Sequence, residues 1–219
     1  MQSAQMTLMM KIESITAQPD RAGRYTVKFD TGAVMRLYRQ TVEDFCLYAG
    51  KSLDDGEWKQ LQAAAGQMSA KMRAVRIVSA SSVSKADLEY RLVQKGEDKA
   101  DAHRAVAWME ELHLLDDWKT AEAVVQRCIS KGYGRSRAKQ MLFEKRIPKE
   151  YWEQALEDYP DQSEKILAFL QSRLGDSREE KDLRRAVDAL IRRGHSYQEI
   201  RTVLNQFLED ADFQEDMYG

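Results

Sequence analysis

The chain has 219 residues, 43% of them hydrophobic, and 34 Lys and Arg nearly balance 36 Asp and Glu for a formal net charge of −2. With only three prolines, this composition suits soluble, helix-rich structure better than a disordered chain or a membrane protein. No stretch approaches the roughly 18 apolar residues of a membrane-crossing helix. The start also lacks the basic flank and apolar run of a secretory signal, so a cytoplasmic protein is expected.

Residues 1–10 hold four methionines and read as a flexible, ambiguous start. Ile12 and Ile15 precede the polar turn Pro19-Asp20-Arg21-Ala22-Gly23. Tyr25, Val27 and Phe29 then alternate with polar neighbours at period two, the signature of a half-buried strand. Asp30-Thr31-Gly32 is a turn, and Val34, Met35 and Leu37 supply a third strand. The spacing predicts a small antiparallel meander, followed by one short helix over Thr41–Ala49 and another through Trp58, Leu61 and Ala65.

From there the pattern becomes helical and repeats. Leu183, Ala186, Val187, Leu190 and Ile191 sit at i, i+3, i+4, i+7 and i+8, an apolar helical stripe ended by Gly194. Leu88, Leu92, Lys95 and Gly96 show the same frame, as do Ala138, Leu142, Lys145 and Arg146. Leu92, Leu142 and Leu190 are separated by 50 and 48 residues, and Val106, Leu156 and Leu204 keep the same offsets. A conserved register with everything else changed predicts one helical unit used three times.

The expected fold is therefore mainly α: three tandem three-helix repeats in an elongated array, after a small N-terminal antiparallel β-meander with short helices. The divisions are 1–10 (flexible start), 11–66 (meander and helices), 67–116, 117–160 and 161–210 (repeats) and 211–219 (tail). Expected helices are Gln67–Val78, Ser84–Lys95 and Asp98–Leu112 in the first repeat. The second has Asp117–Ser130, Gly134–Lys145 and Pro148–Asp158, and the third Gln162–Leu174, Glu179–Arg193 and Ser196–Asp210. Ser84 with Asp87 resembles a capping box.

No constellation for catalysis is evident. His103, His113 and His195 lie in different segments without a metal-ligand spacing, so no metal or cofactor is expected. Gly132-Tyr133-Gly134 lacks the lysine and hydroxyl of a nucleotide loop. Asp116-Asp117 just before a helix reads as an N-cap with dipole support. Cys46 and Cys128 read as reduced core residues. Trp108, Trp118 and Trp152 read as core anchors rather than base-stacking platforms.

The basic groups are more informative. Lys131, Arg135, Arg137 and Lys139 crowd a glycine-punctuated helix start, where the helix dipole disfavours cations. Arg135, Lys139 and Arg146 fall on one border of the apolar stripe, with Lys145 beside them. Arg184, Arg185, Arg192 and Arg193 repeat the theme one unit later. Such a ridge suits a phosphate backbone or a partner's carboxylates, against the alternative of a merely solvated face.

These pieces resemble a known family. Ser84-x-x-Asp87-Leu88-x-x-Arg91-Leu92-x-x-Lys95-Gly96, then Leu114-Leu115-Asp116-Asp117, Gly132-Tyr133-Gly134-Arg135-Ser136-Arg137 and Arg192-Arg193-Gly194-His195-Ser196-Tyr197-x-x-Ile200 occur in order. Their order and spacing are similar to the bacterial regulatory protein RecX family. The resemblance implies a non-enzymatic modulator of the recombinase RecA. It would limit the RecA filament on single-stranded DNA and bind DNA, single-stranded and also double-stranded, weakly and without sequence preference. The chain departs from the family pattern at Ser81-Ser82-Val83, at Thr120 in place of an expected phenylalanine, and at Arg146, where a helix-ending glycine is expected. A second reading is a stand-alone DNA-binding module of helix-turn-helix type. Such a module would prefer one duplex sequence.

Overall fold

The period-two stretch becomes strand β2 (Arg24–Phe29), flanked by β1 (Met10–Ile15) and β3 (Val34–Tyr38). The computed structural model describes residues 9–175 and 177–218, with side chains through Glu209. Most of the expected start at 1–10 and the side chains of the expected tail at 211–219 thus lie outside the described residues. The turn at residues 19–23 is held by Asp20, whose carboxylate accepts the Ala22 and Arg24 N–H groups and pairs with the Arg24 guanidinium at 2.8 Å. The hydrogen bonds from Arg24 lower its pKa to about 2.

The sheet has a fourth strand that the alternation did not disclose. Ser52–Leu53 (β4), between the two short helices expected here, pairs with β1, and the antiparallel order is β3-β2-β1-β4. Two residues are too few to show a period. The helix expected over Thr41–Ala49 is shorter, α1 (Arg39–Asp44), and Cys46 beyond it is exposed rather than a core residue. Cys46 instead takes a positive φ of 45° in the turn that ends the helix.

A larger correction concerns the next two expected helices. They are one, α2 (Asp55–Ala80), opened by a complete capping box between Asp54 and Glu57. The boundary expected between residues 66 and 67 falls inside it. Its first half delivers Trp58 and Leu61 to the sheet core of Ile12, Val27, Phe29, Leu37 and Leu53, where Trp58 meets Phe29 edge-on at 4.9 Å. Its second half delivers Ala70 and Ala74 to another core with α3 (Lys85–Gln94) and α4 (Lys99–Glu111). Gly66 lies between the two halves, and a side chain there would run into the Asp101 carboxylate of α4. Glycine is therefore a packing choice at that position rather than a breaker.

The remaining helices follow the expected plan, the one over Asp117–Ser130 with the expected ends and the others with shifted ones. They are α5 (Asp117–Ser130), α6 (Arg135–Glu144), a 3-10 turn (Lys149–Tyr151) running into the single turn α7 (Trp152–Ala155), α8 (Ser163–Leu174), α9 (Glu180–Arg192) and α10 (Tyr197–Tyr218). The helix expected over Pro148–Asp158 is thus broken, and α10 runs on past the expected Asp210. The fold is mainly helical with one small antiparallel sheet. It divides into two compact units, Met1–Leu115 and Asp116–Gly219. In the second unit, α5 to α7 enclose Val124, Val125, Cys128, Leu142 and Leu156, and α8 to α10 enclose Ile166, Leu170, Leu190, Ile200 and Val203.

Six helix ends share one chemistry. At Cys46, Gly96, His113, Gly132, Arg146 and Gly194 φ is positive. In each case that residue's N–H donates to the carbonyl three back, and the next residue's N–H to the carbonyl five back. This is the Schellman ending, which satisfies two otherwise orphaned carbonyls. Arg146 occupies the slot where the resemblance expects glycine, at φ 52°. A side chain in that region carries a strain of about 1–2 kcal/mol.

Candidate functional site

Helix α6, which carries most of the basic residues singled out in the sequence, starts without a side-chain cap. Its free N–H groups are met from elsewhere in the second unit. Gly134 N–H donates to the Arg193 carbonyl at 2.9 Å, and Ser136 N–H to the Gly194 carbonyl at 3.2 Å. The C-terminal carbonyls of α9 therefore cap the N-terminus of α6, negative end of one dipole against positive end of the other. This corrects the premise that cations at this helix start are unexplained by local stability. The facing carbonyls offset the dipole that would repel them.

The approach is possible only between glycines. A side chain on Gly134 would strike the Gly194 carbonyl, and one on Gly194, at φ 87°, would strike the Arg137 backbone. His195 lies buried beneath, its Nε2 3.1 Å from the Gly132 carbonyl. A carbonyl only accepts, so Nε2 carries the proton and Nδ1, which has no partner among the described residues, is a bare lone pair. Burial pushes the imidazole pKa down, opposed by the Gly132 hydrogen bond and by Glu199. Tyr159 closes the same corner, its hydroxyl donating to the Tyr133 carbonyl at 2.6 Å. Burial pushes that phenol up to about 12.

The ten singled-out cations do not form one ridge. Lys131, Arg135 and Arg137 flank one side of the junction, and Arg192 and Arg193 the other, joined by the two backbone hydrogen bonds. Several are engaged locally. Arg137 is half-buried against Glu144 at 3.3 Å, Arg193 lies over the Phe169 ring at 4.5 Å, and Lys131 over Tyr133 at 6.0 Å. Arg185 pairs with Asp182 at 3.5 Å. Arg135 is exposed but lines a groove of about 480 Å³ with Glu150, Glu153, Gln154 and Glu157. Lys145 and Arg146 sit at the far end of α6, roughly ten residues or about 15 Å along it. Lys139, Arg184 and Arg192 are exposed and form no ion pair among the described residues.

Elsewhere the chemistry is structural. Asp116 caps α5 by accepting the Lys119 N–H at 3.0 Å, which also lowers its pKa. Ser84 accepts the Asp87 N–H at 3.1 Å, and Asp87 pairs with Arg91 at 2.8 Å. His113 is exposed and ends α4. Trp108, Trp118 and Trp152 are half-buried, and the Trp152 Nε1–H donates to the Ile147 carbonyl at 3.0 Å. Among the described residues no group of three or more His, Cys, Asp or Glu is placed to hold a metal, and no helix is long and apolar enough to cross a membrane.

A family model described as RecX, second three-helix domain, matches residues 116–156. Regulatory protein RecX of Vibrio parahaemolyticus is 28% identical over 148 residues, covering 66% of this chain and 94% of the relative. That of Vibrio campbellii is 26% identical over 148 residues, with the same coverage of 66% and 94%. Among solved structures, a crystal structure of regulatory protein RecX covers 90% of this chain and 99% of its own at a TM-score of 0.59 and 21% identity. RecX from Lactobacillus salivarius covers 66% of this chain at 0.55 and 21%. At those identities the structural likeness speaks for the fold.

Proposed function

We propose that this chain, a RecX-like regulatory protein by its sequence relatives and its fold, regulates the RecA recombinase in the cytoplasm. It does so as a binding protein rather than an enzyme, lodging on the RecA filament on single-stranded DNA and limiting it. The three-helix sets α2–α4, α5–α7 and α8–α10 are copies of one unit, a reading supported by the register of Leu92, Leu142 and Leu190, each fully buried. The observation that carries the functional reading is the junction where α9 caps α6. It gathers Arg135 and Arg137 of α6 and Arg192 and Arg193 at the end of α9 around one backbone framework, and the same two helices carry Lys139 and Arg184, exposed like Arg192. Main-chain hydrogen bonds fix the helix ends that carry these cations, so binding has to order the side chains but not the backbone beneath them.

The test is RecA-driven ATP hydrolysis on single-stranded DNA, with this protein titrated in, beside direct DNA binding. Wild type should lower the hydrolysis rate. Replacing Lys139, Arg184 and Arg192 with Gln should relieve that effect. If these cations touch phosphates, DNA affinity falls alike for every sequence, and the slope of log affinity against log salt drops by about 1 per residue. If they touch RecA carboxylates, binding to DNA alone is unchanged. A strong preference for one duplex sequence, with no effect on RecA, would instead establish a stand-alone DNA-binding module.

A further inference from the structure

The sheet of the first unit buries one face and leaves the other open. Val27, Phe29 and Leu37 share a core with Trp58 and Leu61 of α2. Arg24, Thr26 and Lys28 of β2 and Val34, Arg36 and Tyr38 of β3 therefore lie on the opposite face. The register brings these residues together: Arg24 stands opposite Tyr38, Thr26 opposite Arg36 and Lys28 opposite Val34. Arg36 is thus the diagonal neighbour of both Lys28 and Arg24, at about 7–8 Å. Ser14 of β1 faces Lys28 from the other side. From α2, the Arg76 guanidinium donates to the Tyr38 hydroxyl at 2.8 Å and to the Ala22 carbonyl at 3.2 Å. Tyr38 is half-buried, with an arginine opposite it, a second two residues before it on its own strand and a third on its hydroxyl.

A face that only meets water is better served by opposite charges across its strands than by neighbouring like ones. Here the cross-strand partners of the cations are neutral, and Arg24 alone is answered, by Asp20 at 2.8 Å. Lys28, Arg36 and Arg76 are exposed and form no ion pair among the described residues. Asp30 accepts the Lys11 N–H at 3.1 Å, and Glu13 is the extra residue of β1 between Ile12 and Ser14, outside the register with β2. We propose that this face binds a single strand of nucleic acid, its phosphates on Lys28, Arg36 and Arg76 and one base on the Tyr38 ring. The cations alone suit any polyanion, and the ring among them favours nucleic acid, whose bases stack on aromatic side chains. A duplex keeps its bases stacked on one another, so a single strand is the form that offers one to Tyr38. The face belongs to the first unit and takes no residue from the junction of α6 and α9, so it stands apart from the RecA reading.

The test compares full-length wild type, K28Q/R36Q and Y38L by fluorescence anisotropy with a labelled oligothymidine strand and with a duplex of equal length, over a range of salt. Wild type should prefer the strand. K28Q/R36Q replaces exposed side chains, so it should melt like wild type yet bind the strand more weakly. Its slope of log affinity against log salt should drop by about 1.4, from roughly 0.7 per phosphate contact on a single strand. Y38L should lose about fivefold or more on the strand, with its salt slope and its duplex affinity unchanged, and Y38F should recover the loss. Wild-type affinity and slope in K28Q/R36Q overturn the proposal, and so does a wild type that binds no strand or prefers the duplex. The double variant and the strand preference of wild type decide the matter should Y38L melt early. RecA-driven ATP hydrolysis, measured beside these, separates the two readings. A wild type that leaves hydrolysis unchanged while K28Q/R36Q loses the strand defeats the RecA reading alone. A K28Q/R36Q variant that loses only its effect on RecA, with strand affinity intact, assigns the face to an acidic protein surface and overturns the proposal.

Discussion

At the scale of single residues, glycines that look alike in the sequence carry different loads. Gly96 and Gly194 both end helices, at φ 88° and 87°. Nothing lies within 4 Å of where a side chain on Gly96 would sit, whereas on Gly194 it meets the Arg137 backbone. Gly96→Ala should cost about 1–2 kcal/mol, the strain of a left-handed alanine. Gly194→Ala should cost at least about 2 kcal/mol more, because overpacking is added to strain. Urea titration of the two variants checks the order, and equal losses would remove the junction from the account. His195 makes a second expectation. Its folded-state pKa lies below the ordinary 6.5, so the unfolded chain takes up the proton first as pH falls. Stability from this group is therefore present above about pH 6.5 and is lost as pH drops below it. The urea midpoint of wild type should fall between pH 7.5 and 5.5 by more than that of His195→Gln.

At the scale of elements, burial separates core from surface on the same helices. Leu142 and Leu190 are fully buried in two different cores. Replacing either with Ala should cost about 2–5 kcal/mol, measured by chemical denaturation. Arg137→Ala should cost no more than about 1 kcal/mol, since its partner Glu144 is half-exposed and such pairs contribute little. The periodicity of the sequence marked both leucines correctly. It also placed most helices, because a 3.6-residue stripe survives any tertiary arrangement that buries one face. It divided α2 in two, because that helix turns one part of its surface to the sheet and another to α3 and α4, so no single stripe runs its length. The broken helix after Pro148 was likewise hidden, since Trp152 and Leu156 keep helical spacing although only α7 forms a regular turn between them.

At the scale of the molecule, α5–α7 and α8–α10 are tied by backbone hydrogen bonds between Gly134 and Arg193 and between Ser136 and Gly194, and by His195 on the Gly132 carbonyl. Ending the chain at Tyr159 removes every acceptor that caps α6 and uncovers Gly132 and Gly134. Hydrogen exchange should then show residues 116–159 losing protection, while residues 9–115 keep theirs. Undiminished protection of α6 in the truncated chain would mean that its N-terminus needs no cap from α9.

The sequence by itself determined the class of fold, the register of its buried leucines, the caps at Ser84 and Asp116, and the likeness to RecX, because these depend on local spacing. The structure decided which cations are free. Arg137 and Arg185 meet Glu144 and Asp182 of their own helices, pairs that spacing allows, but only the tertiary arrangement brings Arg193 onto the Phe169 ring of α8 while Lys139, Arg184 and Arg192 stay exposed. Nor could spacing disclose that α9 caps α6. The donors and acceptors are main-chain groups some 58 residues apart, identical at every position, and only the two glycines that let them meet leave any mark in the sequence.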